Sequence, residues 1–579
     1  MSLFKELTRD FDPAKRAFVL RGLIEGFRLH VEYPPEARMW VQSRLSDQSR
    51  ARISENFLLE RSLGRMLGPF YGQPSGEHWK RAVAFPVSEV EKGGGKYRTI
   101  FNLSYDWPNS TNTGIPKEYG YTTYPTFEEV AAAILEVGLQ ECFFAMYDVE
   151  NAFRNMTIFP ADWIYQLVAW QQTEGGPREY WIDLCLPFGI RVGPMIFNSF
   201  GQALEHILKL CCMDSDPLTL LIRLLRYLDD FLLICRGENK ANEVLDAMLS
   251  LMEALLIPVK KSKTVRPTVV IKFIGFWFEP RKDLVTLDPE RWVNLHLRLL
   301  DISSRLDSGN VNAHEIRSLA GVLCWGSKVI RHGMLYTREL YGVLNVLGMT
   351  SAPGAVARRV MISDPRLIYL VHQDIFWWLE LYELYKSEKW ARVGRRISSI
   401  VVTGPPKASP PSSLVMYSDM SGTGFGGYVF ETGLWVYAPV PNHITLSHLD
   451  KTRTVISSGH GECAGILLCL LTFFPIWAEH HQDRLSEEFI TVYSDSTSAV
   501  GAWSGEKATA DMLPYLHAFE RICAVYNVTL RLLWVPGTLN TIADTISRQA
   551  GAMTPELRKE FPLGDELPQA AISAKRLLF

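Results

Sequence analysis

Residues 223 to 234 read RLLRYLDDFLLI, and the adjacent carboxylates of Asp229 and Asp230 interrupt a run otherwise rich in Leu, Ile, Tyr and Phe. An isolated carboxylate in an apolar setting takes up a proton unless a cation or a set of donors compensates it. The flanking runs have strand length, and an Asp-Asp pair between them suits a tight hairpin turn that projects both side chains together. An ordinary turn looks the same, so the pair needs further carboxylates before it implies chemistry. The run CFFAMYDV supplies one, since it ends at Asp148, and the carboxyl ends of strands are where α/β sheets meet ligands. With the hairpin beside that strand, three acidic groups would converge on a point that only divalent cations neutralise. Oxygen donors suit Mg²⁺, which keeps part of its coordination for phosphates and water. Two such ions about 4 Å apart stabilise the attacking and leaving oxygens of phosphoryl transfer.

A second set lies downstream. VMYSDMSGTGFGGYVF places Asp419 on a strand before a glycine-rich turn, Glu462 opens an apolar helix, Asp495 ends the run FITVYSD, and Asp544 sits in WVPGTLNTIADTISR. Any one of them alone reads equally well as a cap or turn residue.

At 579 residues the chain is too long for one core, and two to four domains are expected. With 47% hydrophobic and 21% charged residues it is a globular composition. The net charge of -3 excludes no partner, because a basic groove can coexist with an acidic surface. Nine scattered cysteines without a CxxC pair point to a reducing compartment and no disulfide framework. MSLFKELTRDFDPAKR is too charged for a secretory signal. AGILLCLLTFFPIWA, at 464 to 478, falls short of spanning length and contains Pro475, so a buried helix is expected and no membrane partner.

Along the chain, residues 1–75 read as mainly helical, without assignable chemistry. Residues 76–285 alternate strand-like and helix-like runs, 286–400 carry apolar residues at helical spacing, and 401–413 form a Pro/Ser-rich linker. A second α/β pattern covers 414–552, and 553–579 is a polar tail.

Asp148 in DVENAF, LPFGIRVGP at 186–194, YLDD at 227–230, KKSKT at 260–264 and FIGFWFE at 273–279 follow one another as in the reverse transcriptase palm, and the chain resembles retroelement reverse transcriptases. The resemblance implies an α/β multidomain right-hand polymerase, with fingers and palm at 76–285 and a helical thumb and connection at 286–400. An RNase H-like α/β domain would follow at 414–552, since Asp419, Glu462, Asp495 and Asp544 keep that fold's order. It implies that Asp148 and Asp229 hold catalytic Mg²⁺, with Asp230 a lesser ligand, and that the later four carboxylates hold a second pair of ions, Mn²⁺ being able to substitute. Arg98 would grip the triphosphate, assisted by Lys96 or Lys92. Phe153, five positions after Asp148, would lie under the nucleotide sugar, with Phe188 and Gly189 beside the nucleotide. Gly189 and Pro194 would shape a template-contacting turn before a helix, and Phe276 and Trp277 the primer grip. Lys263 would protonate leaving pyrophosphate.

The expected activity is RNA- and DNA-templated DNA synthesis coupled to removal of RNA from hybrids. The partners would be RNA template, DNA primer, RNA-DNA hybrid and dNTPs. The segments PADW, HQDIFWWLELY and GTLNTIADTISR are most similar to DIRS-type retrotransposons, with gypsy-type long-terminal-repeat elements second. That kinship implies a separate tyrosine recombinase and structural protein of the same element, and an intracellular location, cytoplasmic or nuclear. One departure stands out: Gly537-Thr538-Leu539-Asn540 occupies the place where retroviral RNase H carries a histidine loop. A binding scaffold without catalysis is the competing reading, but such scaffolds typically lose metal ligands and these are all present. A template-free terminal transferase would carry the same residues.

Overall fold

The structure, a computed structural model, describes residues 1–41, 44–91, 95, 97–106, 108–212, 222–330, 333–352, 354–386, 393–400, 414–446, 452–479, 488–504, 508–509, 511–526 and 528–548. The expected linker and polar tail, and with them Lys92 and Lys96, lie outside these residues. The chain divides into two compact units, residues 1–274 with 278–283, and residues 275–277 with 284–579.

The first unit opens with helices α1 (Ser2–Leu7), α2 (Pro13–Glu25) and α3 (Asp47–Ser62). The hydroxyl of Ser46 caps α3 by accepting from the Ser49 N–H at 3.2 Å, and Asp47 and Arg61 suit the dipole at its two ends. Strands β1 (Met66–Phe70), β2 (Ala84–Phe85), β3 (Val87–Glu91) and β4 (Tyr97–Phe101) follow, then helices α4 (Thr111–Gly114) and α5 (Phe127–Val137). Next come β5 (Cys142–Asp148), β6 (Leu167–Trp170), β7 (Glu179–Asp183), α6 (Gly193–Cys212), β8 (Ile222–Tyr227), β9 (Asp230–Arg236), α7 (Glu238–Ala254) and β10 (Val265–Thr268). One sheet has the order β1-β7-β6-β2, and β3 and β4 form a separate hairpin.

The sheet that matters for the site runs β10-β5-β9-β8, with antiparallel neighbours throughout. Because α5 and α7 pack on its strands, β5 and β9 are apolar on both faces and read as unbroken hydrophobic runs. Residues 1–75 hold three helices and β1 joined by irregular stretches, and place Val19, Phe27, Leu29, Ile53 and Phe57 in the same core as residues of β5, β6, β7, β8 and β9. Their apolar spacing is therefore spent on this unit and not on a core of their own.

Strands β11 (Ile271–Phe273) and β12 (Phe276–Glu279) come next in the chain. The second unit contains β13 (Leu284–Leu287), helices α8 (Pro289–Leu306), α9 (Ala313–Gly326), α10 (Arg338–Val346), α11 (Gly354–Ala357) and α12 (Pro365–Lys386), and β14 (Gly394–Arg395). An α/β section follows: β15 (Leu414–Met420), β16 (Gly424–Val429), β17 (Trp435–Pro439), α13 (Ser458–Glu479), β20 (Glu488–Ser494), α14 (Thr497–Ser504), α15 (Leu513–Tyr526), β21 (Val528–Trp534) and α16 (Thr541–Arg548), with β18 (Ile444–Thr445) and β19 (Thr454–Val455) as a short pair. Its sheet has the order β17-β16-β15-β20-β21, antiparallel on the β17 side of β15 and parallel on the other. The glycines of β16 have a packing cause. A Cβ on Gly427 would meet Cys469 Sγ of α13 at 2.1 Å, and one on Gly426 the Ser547 nitrogen of α16 at 2.5 Å.

The buried helix expected at 464–478 is present and is longer than its apolar run. Helix α13 is 22 residues long, because the turn SGHGEC extends the apolar run at its start and Pro475 sits near its end without stopping it. By length and composition it could cross a membrane, yet 72% of its most apolar window is buried inside the unit. The two parts of this unit meet through aromatic rings: Tyr336 stacks on Trp377 at 3.9 Å and on His517 of α15 at 4.4 Å.

Candidate active sites

Asp148 is the last residue of β5 and stands directly opposite Asp230, the first residue of β9. Two residues, Leu228 and Asp229, close the β8–β9 hairpin, and the Asp229 carbonyl accepts from the Val149 N–H at 3.0 Å. Two-residue hairpins of this kind require positive φ. Leu228 supplies it at 53°, a conformation that costs a non-glycine residue about 1 kcal/mol, and Arg226 Nη1 holds the Leu228 carbonyl at 3.0 Å. The three carboxylates are thus gathered by sheet register and by a turn held against its preference.

Asp148 is 4% exposed, and the ammonium of Lys263 sits on its Oδ2. Burial raises the Asp229 carboxyl above its usual range. It pushes Asp230, with the charges of Asp229 and Asp148, up to about 6. Burial opposes the charge on Lys263, but its bond to Asp148 and the three carboxylate charges outweigh that and hold it above its ordinary value. The donors are all oxygens and repel one another, which is the set a hard divalent cation relieves.

The residues expected around the nucleotide form a stack, and its Arg98 lends positive charge to Asp229. Arg98 of β4 lays its guanidinium 4.7 Å over the Phe188 ring, and Phe188 stacks on Phe153 at 5.5 Å. Phe153 lies in a short turn, Ala152–Asn155, and also leans on Phe197 of α6 at 5.6 Å. Gly189 needs its residue type, with φ at 92°, and its carbonyl accepts from Asn112 Nδ2 at 2.8 Å.

Two expected positions differ. Pro194 is the second residue of α6, not part of the loop before it, as suits a residue without an N–H in a first helical turn. Phe276 is 1% exposed and stacks on Trp325 at 4.3 Å, so its ring is packing and is closed to a primer; Trp277 keeps partial exposure.

In the second unit Asp419 (β15), Glu462 (first turns of α13) and Asp495 (just after β20) bring carboxylate oxygens within 4.8 Å of one another. Among the described residues this is the only such group. Burial raises the Glu462 carboxyl well above its usual range and, despite a 2.6 Å hydrogen bond donated by Ser547, lifts Asp419 to about 6. Glu462 Oε2 is buried without a partner. This oxygen-only set, with one buried oxygen left unpartnered, fits divalent cations. Asp544 stands apart from the trio: Arg548, one helical turn on in α16, holds its Oδ1 at 2.6 Å.

Sequence reading missed Ser547 and Asn540, whose amide donates to the Ser418 carbonyl at 3.0 Å and so ties the GTLN turn to the strand bearing Asp419. Both lie beside Asp544 in a stretch already singled out, but only the fold shows them facing β15.

Residues 121–278 match the family model of reverse transcriptase (RNA-dependent DNA polymerase). This segment is a reverse transcriptase domain. It contains Asp148, Phe153, Phe188, Gly189, Pro194, Asp229, Asp230, Lys263, Phe276 and Trp277; Arg98 and the second carboxylate set lie outside the matched range. The fold class is the mixed α/β one of right-hand polymerases. No curated protein matches the chain. Among solved structures, the foamy viral protease-reverse transcriptase dRH in complex with double-stranded DNA is similar at 12% identity and TM-score 0.45, over 92% of this chain and 81% of that one. The foamy viral protease-reverse transcriptase in complex with RNA/DNA hybrid is similar at 13% identity and TM-score 0.42, over 96% of this chain and 66% of that one. The assignment rests on the matched segment and on the residues within it.

Proposed function

We propose that the chain is a reverse transcriptase that synthesises DNA on RNA and DNA templates and cleaves the RNA strand of the hybrid it makes. The observation that carries the first activity is the register pair of Asp148 and Asp230, with Asp229 in the turn between, inside the matched reverse transcriptase segment. Asp148 and Asp229 would hold Mg²⁺, with Asp230 assisting. When bound, the two ions would stabilise the attacking and leaving oxygens of the phosphoryl transfer. Arg98 would bind the dNTP triphosphate, Phe153 would wall off the sugar's 2′ side, and Lys263, poised on Asp148, would carry the proton for departing pyrophosphate.

Support for the second activity comes from the trio Asp419, Glu462 and Asp495, whose oxygens lie within 4.8 Å and of which Asp419 and Glu462 are buried. We assign the chain to retrotransposon replication, in a DIRS-type element by its sequence resemblance. The partners in that reading are an RNA template, a DNA primer, a separate recombinase and a structural protein, in the cytoplasm or nucleus. The test is primer extension on a defined RNA template with Mg²⁺, reading product length and RNA fragments together. Template-directed extension accompanied by RNA fragments is expected. Untemplated addition, or no addition by a folded protein, would overturn the reading.

A further inference from the structure

Residues 1–75 carry no motif, yet one of their helices touches both elements that face the nucleotide. Helix α3 is fixed in the core by Phe57, whose ring lies 5.4 Å from both Trp170 of β6 and Trp181 of β7, and by Ser54, whose hydroxyl accepts from Trp170 Nε1 at 3.0 Å. From that anchored helix two charged side chains reach out.

Arg52 donates from Nε to Glu89 of β3 at 2.9 Å, with a second contact from Nη2, and its guanidinium lies 4.0 Å over the ring of Tyr97 in β4. Glu89 and Tyr97 flank Arg98 in register, since Val90 pairs with Arg98 and Glu91 with Tyr97. The hairpin that presents Arg98 is otherwise a two-stranded ribbon, which is marginal alone in water.

Glu60, at the other end of α3, accepts from Arg154 Nη2 at 2.8 Å and Nε at 3.0 Å. Arg154 follows Phe153 directly and is 6% exposed; its Nη1 is bound to the fully buried Asp183 at 2.7 Å. Arg65, three residues beyond α3, adds a donor to Asn155 Oδ1 at 3.4 Å, at the end of the same turn. A buried guanidinium held by two carboxylates fixes the turn's orientation, because either acid's loss leaves charge uncompensated.

We propose that α3 is a brace that sets the nucleotide pocket from outside it, with Arg52 holding the hairpin that bears Arg98 and Glu60 holding, through Arg154, the turn that bears Phe153. Neither residue touches the nucleotide; both are positioning residues. The proposal rests on the reading of Arg98 and Phe153 as triphosphate and sugar contacts. It gives the N-terminal segment a task in substrate selection, and it predicts that two sites on one helix affect different kinetic quantities.

Single-nucleotide extension by the full chain, with dNTPs and rNTPs, tests it. Arg52→Ala should raise KM for dNTP by about threefold or more with kcat nearly unchanged, because triphosphate capture loosens while the chemistry does not. Arg52→Glu combined with Glu89→Arg should return KM towards the parent value. Glu60→Ala should lower the dNTP-to-rNTP ratio of kcat/KM by about threefold or more, with Glu60→Gln, which keeps an acceptor for Arg154, in between. A merely structural role would lower active-enzyme concentration and leave KM and the ratio alone, and that result in either folded, active variant overturns its arm of the brace. Should Glu60→Ala fail to fold, Glu60→Gln decides that arm by the same ratio. Parent enzyme that extends no primer would instead overturn the underlying reading, an outcome distinct from unaltered KM and selectivity in active variants.

Discussion

The two carboxylate sets are built from the same donors but balanced differently. In the palm, Asp148 is covered by the Lys263 ammonium, and Arg98 lends further positive charge to Asp229. In the second unit, Asp419, Glu462 and Asp495 crowd more closely, with a Ser547 hydroxyl on Asp419, while Arg548 is bound to Asp544 and acts on Asp419 only through space. The palm set therefore carries its own counter-charge, whereas the second set must take a cation or a proton. Charge balance, more than the count of acids, separates a site whose charge is partly countered by a bound lysine from one with no cation in contact with its trio.

The largest expected effect is on cleavage. Glu462→Gln should lower RNA hydrolysis by about a thousandfold and leave primer extension within about twofold, measured on the same preparation. Equal loss of both activities in a folded variant would join two sites that the comparison keeps separate. Within the palm, Phe153→Val should keep dNTP incorporation and lower the dNTP-to-rNTP ratio of kcat/KM by about tenfold, on the order of 1.4 kcal/mol. An unchanged ratio would leave Phe153 as packing for Phe188 and Phe197. Because Asp544 is outside the trio, Asp544→Asn should reduce cleavage by about tenfold at most, well short of Glu462→Gln; a loss as deep as that variant's would place Asp544 among the ligands.

The smallest effect concerns stability without metal. Glu462 holds its proton to a higher pH when folded than when unfolded, so its contribution is fully present below its ordinary value and is lost as pH rises through the raised one. In EDTA above neutral pH, Glu462→Gln should therefore raise stability. Asp148→Asn should lower it by removing Lys263's partner. Thermal melts of the two variants give opposite signs if the charge comparison holds.

Much of this was legible where function needs a residue at the end of an element. Asp148 and Asp495 close apolar strand runs, and the 229–230 pair sits between two such runs, so period and punctuation alone bring them to sheet ends. Contacts between distant segments were not legible. Glu60 meets Arg154 across 94 residues, and Arg52 meets Glu89 across 37, with nothing in either segment's pattern to announce the partner. β1 was hidden inside a stretch read as helical, because a five-residue strand interrupted by Gly68 and Pro69 has little period to show. Phe276 was expected at the primer only by resemblance; its run alone reads as a buried strand, and the fold adds the ring it packs on, Trp325.

The central claim, two separate sites on one chain, is tested most directly in a single reaction. A primed RNA template carrying one label on the primer and another on the RNA is incubated with Mg²⁺, dNTPs and, in parallel, the parent, Asp229→Asn and Asp495→Asn proteins. The account predicts cut RNA beside an unextended primer for Asp229→Asn, and an extended primer on intact RNA for Asp495→Asn. Loss of both products in either folded variant, or RNA cut at the parent rate by Asp495→Asn, would contradict it.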